Sequence, residues 1–346
     1  MVIPATLFGQ HRFAPRLEPL PSCLLPRLVC PGCLARIKLD TLTSGRIANG
    51  ALTATAQSSA AILGKSKLAV EFALTTLASE AEAVLADEPP ARVKVYFAPD
   101  FEEPESAPPD FGPRPGYLKR TEDGRLVPDW VSFYQPVVFL APGTSAFEVA
   151  EDIDRLSLLT DVFADISWKM TPSLRWLYVS LSNGVHVSFP GHAGYPSGYD
   201  PRQRSWYLDA TDEIRWNLPL VDAASGQLIL TASKQVRHAD GSRAGVAAID
   251  LLLTDLLHVE ALSSRWTAAM RSFVVTPSAA ETEAPGLLIL AQKDDPAGAA
   301  SWERAVEPQK LISDDPDRMA QLMDELRNGR SGYLEMPFNG VASTWA

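Results

Sequence analysis

Between residues 41 and 86 the chain carries no proline and much alanine, and Leu63, Val70, Leu74, Leu77, Ala81 and Val84 recur at intervals of three or four. That is the spacing of one apolar helix face. At 1.5 Å per residue, a helix of some 40 residues runs about 60 Å, longer than a compact domain needs. The segment is therefore read as a stalk lying along the flank of a folded body, with Gly64 the place for a kink and Pro89-Pro90 its end.

The 40 residues before it are proline-rich and aperiodic, and are expected to be a disordered or atypical leader. Cys23, Cys30 and Cys33, the three cysteines of the chain, all fall there. One CxxC supplies two metal ligands, with Cys23 a third and His11 a remote fourth, so an unstructured leader is the better reading and no metal or cofactor is expected. A cysteine-free body excludes a disulfide framework and a thiol nucleophile. No apolar run is long enough for a signal core or a span, because the stretch 17–39 is broken by four prolines and three basic residues. Any membrane attachment is expected in segments absent from this chain. Residues 331–346 read as a strand, an Asn339-Gly340 turn and the start of a return strand, which suggests a fragment of a longer protein.

After the stalk (41–87), residues 88–128 hold nine prolines and many acids and are read as a surface excursion. A strand is expected over 130–140 and a helix over 145–166. A hairpin follows, 174–180 with 185–189 across Asn183-Gly184, then a short helix opened by Asp200-Pro201. A second hairpin pairs 228–236 with 244–251, and a helix covers 252–266. Residues 271–346 supply strands at 272–276 and 286–291, a helix over 315–328 and the terminal hairpin. The order implies an α+β chain: a long N-terminal helix, a first mixed α/β module over 88–270 and a second, truncated one over 271–346.

A net charge of −11 with pI near 5.0 makes nucleic acid a poor partner. The sequence contains no Walker-type loop, HExxH or GxSxG, and its five histidines include no pair at ligand spacing. His186 on a strand and His192 in a loop are candidate bases, but single histidines in such places are more often structural, so the chain is not expected to be an enzyme.

Most chemical content lies in Tyr199-Asp-Pro-Arg-Gln-Arg-Ser-Trp-Tyr207. Arg204 and Tyr207, three apart, share a helix face beside free backbone N–H groups, and an arginine fork takes a carboxylate while aromatic faces hold a cation or an apolar body. Residue types alone leave an equal alternative, in which Trp206 and Tyr207 are core anchors and Arg204 pairs with an internal acid such as Asp250.

That run, followed by Val221-Asp-Ala-Ala-Ser-Gly226 and Gly245-Val-Ala-Ala-Ile-Asp250, resembles the double Cache (dCache) family of extracytoplasmic ligand-sensing domains, and the resemblance extends from about residue 41 to the end. It implies two tandem PAS-like modules, with the pocket in the membrane-distal first one. In the amino-acid-binding members, an arginine and aromatics hold the ligand carboxylate and an aspartate the ammonium. The matching positions are Tyr199, Arg204, Trp206 and Tyr207 on the carboxylate side and Asp250 on the ammonium side. One position departs: Leu220 stands where the family tends to have tyrosine, which removes a hydroxyl. Asp250 also has a plainer reading as the cap of a following helix. The region around Trp168-Lys-Met-Thr-Pro172 and 184–192 bears a fainter likeness to sensors attached to SpoIIE-type phosphatases.

The expectation is thus a periplasmic or extracellular sensor module of a transmembrane receptor. It would bind a small amino-acid-like, amine or carboxylate metabolite, with the long helix the expected face for pairing with a second copy. A free secreted or periplasmic binding subunit and an intracellular hydrolase are the rival classes. Residues 272–346 are expected to contribute nothing to the site, with Trp302 and Trp345 standing apart from it.

Overall fold

The computed structural model describes residues 2–6, 33–38, 45–170, 174–253, 255, 270–277, 286–292, 301–303, 306, 309–311, 313–330, 333–337 and 343–345. The chain is α+β and falls into two units: Leu68–Asp255 with Ala297–Val306, and Met1–Lys67 with Leu256–Pro296 and Glu307–Ala346.

The predicted stalk is an unbroken helix, Gly45–Ala86. Val70, Ala73, Leu74, Leu77, Ala78 and Ala81 are buried, four of them positions of the predicted apolar face. Two polar contacts fasten that face to the edge of the larger unit's sheet. Trp216 donates its indole N–H to Glu71 at 3.0 Å, and the backbone N–H of Arg237 reaches Glu82 at 3.0 Å. Among the described residues, no helix is long and apolar enough to cross a membrane.

The larger unit is built on a mixed sheet. Its strands run, in spatial order, Arg215–Trp216, Leu228–Arg237, Arg243–Leu252, Leu174–Leu181, Val185–Phe189, Val137–Leu140 and Tyr96–Phe97, with Leu220–Val221 also pairing Leu228–Arg237. Both predicted hairpins form. Asn183-Gly184 turns the first because Gly184 takes φ +97°, a conformation that side chains resist. The interior strands are buried nearly end to end, their polar members Arg175, Ser180, His186, Ser188 and Asp250 included.

Three expectations need correction. The helix expected over 145–166 is two, Ala150–Ser157 and Thr160–Met170. The hydroxyls of Ser157 and Thr160 bond the carbonyls of Asp154 and Ser157 and compete with the helical ladder at the break. The strand expected over 130–140 is divided between two sheets, as Leu126–Ser132 and Val137–Leu140. The excursion at 88–128 is not all surface: Gly112–Arg120 pairs Leu126–Ser132, which pairs Gly191–His192 on its other side, in a three-stranded sheet that buries Tyr117 and Val131. Gly191 fits there because a Cβ would stand 2.3 Å from the Gln135 carbonyl oxygen.

In the other unit the strands run Lys310–Leu311, Leu287–Gln292, Met270–Pro277, Cys33–Lys38, Val2–Thr6, Thr344–Trp345 and Leu334–Glu335. Two stretches of the expected leader are therefore strands, their alternation masked by the surrounding prolines. The Pro316–Arg327 helix, capped by the Asp315 carboxylate, packs Met319, Leu322, Met323 and Leu326 against Phe273, Val275 and Trp345. The return strand Thr344–Trp345 is paired on both sides, by Leu334–Glu335 and by Val2–Thr6. The helix expected over 252–266 lies almost wholly outside the described residues.

Candidate functional site

The Asp200-Pro201 opening forms as read: the Asp200 carboxylate accepts the Arg202 N–H at 3.0 Å and heads a 3-10 turn, Pro201–Gln203. Arg204 then has extended backbone, φ −81° and ψ 147°, and precedes the one-turn helix Ser205–Leu208. It does not share a helix face with Tyr207, because it lies outside the helix. Trp206 and Tyr207 accordingly point different ways. Trp206 lines a cavity with Tyr199, Arg204 and Asp250, while Tyr207 is not among the lining residues. Instead, the Arg243 guanidinium lies 4.6 Å over the Tyr207 ring and bonds its carbonyl oxygen.

The cavity measures about 30 Å³ and lies within the larger unit, room for about two water-sized groups. Past Tyr195 and Tyr199, which both spaces share, a groove of about 680 Å³ runs along Phe97, Phe139 and Pro142. One wall is a stack of flat groups. The Arg175 guanidinium lies 4.2 Å over Trp176, Trp176 stands 3.9 Å from His192, His192 4.9 Å from Tyr195, and Tyr195 4.4 Å from Phe139. Sequence patterning missed Trp176, Tyr178, Tyr195 and Asp222 as lining residues, although the first two alternate along one strand.

Asp250 projects from the Arg243–Leu252 strand and, among the described residues, caps no helix. Its carboxyl accepts from Thr231 Oγ1 at 2.6 Å and Tyr178 Oη at 3.0 Å. Burial, reinforced by the nearby Asp222, raises its pKa to about 8 against the pull of those two hydroxyls and of Arg175. Asp222 accepts the Trp176 indole N–H at 2.8 Å and the Ser225 N–H at 3.0 Å, which ties the turn after Leu220 into the pocket floor. Burial also holds the phenols of Tyr178, Tyr195 and Tyr199 above their usual range, so they remain neutral O–H groups.

His186 and His192 line the same cavity. Burial lowers them to about 3 and about 4, so both rings are neutral at pH 7. His186 Nδ1 lies 2.6 Å from Ser180 Oγ; His192 Nδ1 lies 2.8 Å from the Ala193 carbonyl, and its Nε2 is 3.2 Å from Tyr195 Oη.

Arg204 is half-buried and, among the described residues, makes no side-chain hydrogen bond or ion pair; the pairing with Asp250 that the residue types left open is not formed. Its guanidinium carbon instead lies 5.6 Å over the ring of Trp302, which also meets Tyr199 edge-on at 5.7 Å. That corrects the expectation that Trp302 stands apart from the site.

A register slip opposite Asp250 and Leu251 leaves Arg175 without a cross-strand partner and turns it inward. It is buried, pairs Asp129 at 2.9 Å, and leaves Nε and Nη1 without partners among the described residues. Burial still raises the Asp129 carboxyl in spite of Arg175 and Lys119. Removing one member strands a buried charge, so Arg175→Met is expected to cost about 3–5 kcal/mol in urea unfolding, and adding Asp129→Leu to recover most of it. A single-variant loss under about 1 kcal/mol would contradict this.

No family model matches the chain. A stretch of 84 residues, 23% of this chain, is 39% identical to the methyl-accepting chemotaxis protein McpB of Bacillus subtilis, and the match spans 12% of that protein. The chemotaxis protein TlpB of the same organism is 41% identical over 84 residues, again 12% of its length. The chain thus spans a small part of the curated relatives it matches. Among solved structures, the ligand-binding domain of the Pseudomonas aeruginosa amino acid chemoreceptor PctC in complex with GABA is 25% identical, with TM-score 0.29 over 49% of this chain and 70% of that one. The ligand-binding domain of Pseudomonas fluorescens chemoreceptor CtaA in complex with L-isoleucine is 21% identical, with TM-score 0.32 over 54% and 73%.

Proposed function

We propose that the chain is the extracytoplasmic sensing part of a bacterial membrane receptor, without catalytic activity of its own, and that its pocket binds a small metabolite bearing both an ammonium and a carboxylate. One observation carries the reading: a half-buried arginine with no hydrogen-bonded or ionic partner among the described residues and a buried aspartic acid face the same small aromatic cavity. The guanidinium fork suits a carboxylate. The carboxyl of Asp250, neutral while alone, regains its charge when an ammonium meets it. Aromatic faces between them suit the cation and any short apolar body, and a larger body has the adjoining groove. The sequence similarity to chemotaxis receptors supports a receptor, and favours a chemoreceptor output over the SpoIIE-type phosphatase. Against a hydrolase, the second nitrogen of His192 is committed to a backbone carbonyl rather than a carboxylate.

The test is calorimetric and thermal-shift titration with the common L-amino acids and γ-aminobutyrate, and with L-valine's two charge-deleted analogues, isobutylamine and isovalerate. At least one zwitterion is expected to raise Tm in proportion to occupancy. L-valine is expected to bind at least about 10-fold tighter than either analogue, the factor that about 1.4 kcal/mol supplies. The reading fails if no zwitterion shifts Tm, or if isobutylamine or isovalerate matches L-valine.

A further inference from the structure

The stretch Ala297–Val306 belongs to the larger unit, although the chain on either side of it belongs to the other. Within that stretch Trp302 touches two of the residues assigned to carboxylate recognition, the Tyr199 ring at 5.7 Å and the Arg204 guanidinium at 5.6 Å. Arg204 has extended backbone at its position, a long flexible side chain and no hydrogen-bonded partner among the described residues, so nothing else there fixes its direction. An indole face within about 6 Å supplies that direction without consuming its N–H groups, which stay available to a carboxylate fork. The ring also shields one side of the guanidinium from water, which strengthens an ion pair formed on the other side.

We propose that Trp302 is a positioning residue of the ligand site: it is the outer wall that aims Arg204, and it sets the preference for ligands with a carboxylate. This rests on the proposed zwitterion reading, and it adds a residue from a segment more than 90 positions beyond the Tyr199–Tyr207 cluster.

Because the effect runs through Arg204, it is selective. In the whole chain, Trp302→Leu keeps an apolar side chain but removes the aromatic face. It is expected to raise the Kd for L-valine at least about 10-fold, to leave that for isobutylamine within about 2-fold, and Trp302→Phe is expected to restore most of the L-valine affinity. Equal losses for both probes without rescue by Phe would reduce Trp302 to packing, and an unchanged Kd for L-valine would overturn the proposal outright. A second measurement needs no ligand: amide exchange in peptides covering 297–306 is expected to be at least about 3-fold faster in Arg204→Ala than in wild type, and near wild type in Arg202→Ala. Unchanged exchange in Arg204→Ala overturns the Trp302 assignment. Faster exchange together with no zwitterion binding supports the Trp302–Arg204 contact while refuting the zwitterion reading.

Discussion

Arg204→Ala is expected to weaken the tightest zwitterion in the binding panel at least about 30-fold, near 2 kcal/mol, with little change in the stability of the free protein. Both halves come from the same geometry. Among the described residues the Arg204 side chain makes no hydrogen bond or ion pair, so its loss strands no hydrogen-bonded partner and costs the fold only its stack on Trp302, about 0.5–1 kcal/mol. The ligand carboxylate, by contrast, loses a charge-assisted fork in a site walled by Trp206 and Tyr199. Arg204→Lys is expected to recover part of the affinity, since an ammonium restores the charge but not the planar pair of donors. Calorimetry on both variants, with urea unfolding as the control, decides it. Unchanged affinity in a folded Arg204→Ala protein would remove Arg204 from the site.

The features legible in the sequence share a cause: each is local. The long helix follows from 3.6-residue spacing, the hairpins from the Asn183-Gly184 and Asp240-Gly241 turns, and the 200–208 turn from Asp200-Pro201. Tyr199, Arg204, Trp206 and Asp250 were found by motif, and the structure brings all four to one cavity. Tyr207 was misread for want of one fact, the extended backbone of Arg204, which shifts the helix start by a residue and turns Tyr207 toward Arg243. Residues contributed at long range were invisible. Trp176 and Tyr178 sit on a strand buried on both faces, where alternation carries no label for the pocket side. Asp222 is a turn residue until Trp176 is placed over it. Trp302 stands in a short stretch without periodicity, and only the tertiary fold brings it to Tyr199.

The buried titratable groups of this pocket predict a pH profile. Asp250 has a folded-state pKa of about 8, far above its ordinary value, so between about pH 4 and pH 8 the folded chain holds a proton that the unfolded chain has released. Stability from this group falls as pH rises, by at most about 1.4 kcal/mol per pH unit. His186 and His192 do the opposite. Their folded values near 3 and 4 lie below the ordinary 6.5, so acid draws two protons onto the unfolded chain first, and stability falls as pH drops below about 6.5. Two groups outweigh one on the acid side, while Asp250 acts alone above 6.5, so stability is expected to peak near pH 6.5 and decline toward pH 8. Asp250→Asn keeps acceptors for Thr231 and Tyr178 and is expected to abolish the decline between pH 6.5 and 8, with the acid limb intact. The same carboxyl couples to ligand. An ammonium beside Asp250 favours its ionised form, so zwitterion binding at pH 7 is expected to release close to one proton, and Kd to fall up to 10-fold per pH unit on approach to pH 8. Calorimetry in two buffers of different ionisation enthalpy measures the proton directly. Binding without proton release would place the ammonium elsewhere, since an amine that leaves Asp250 protonated is not paired with it.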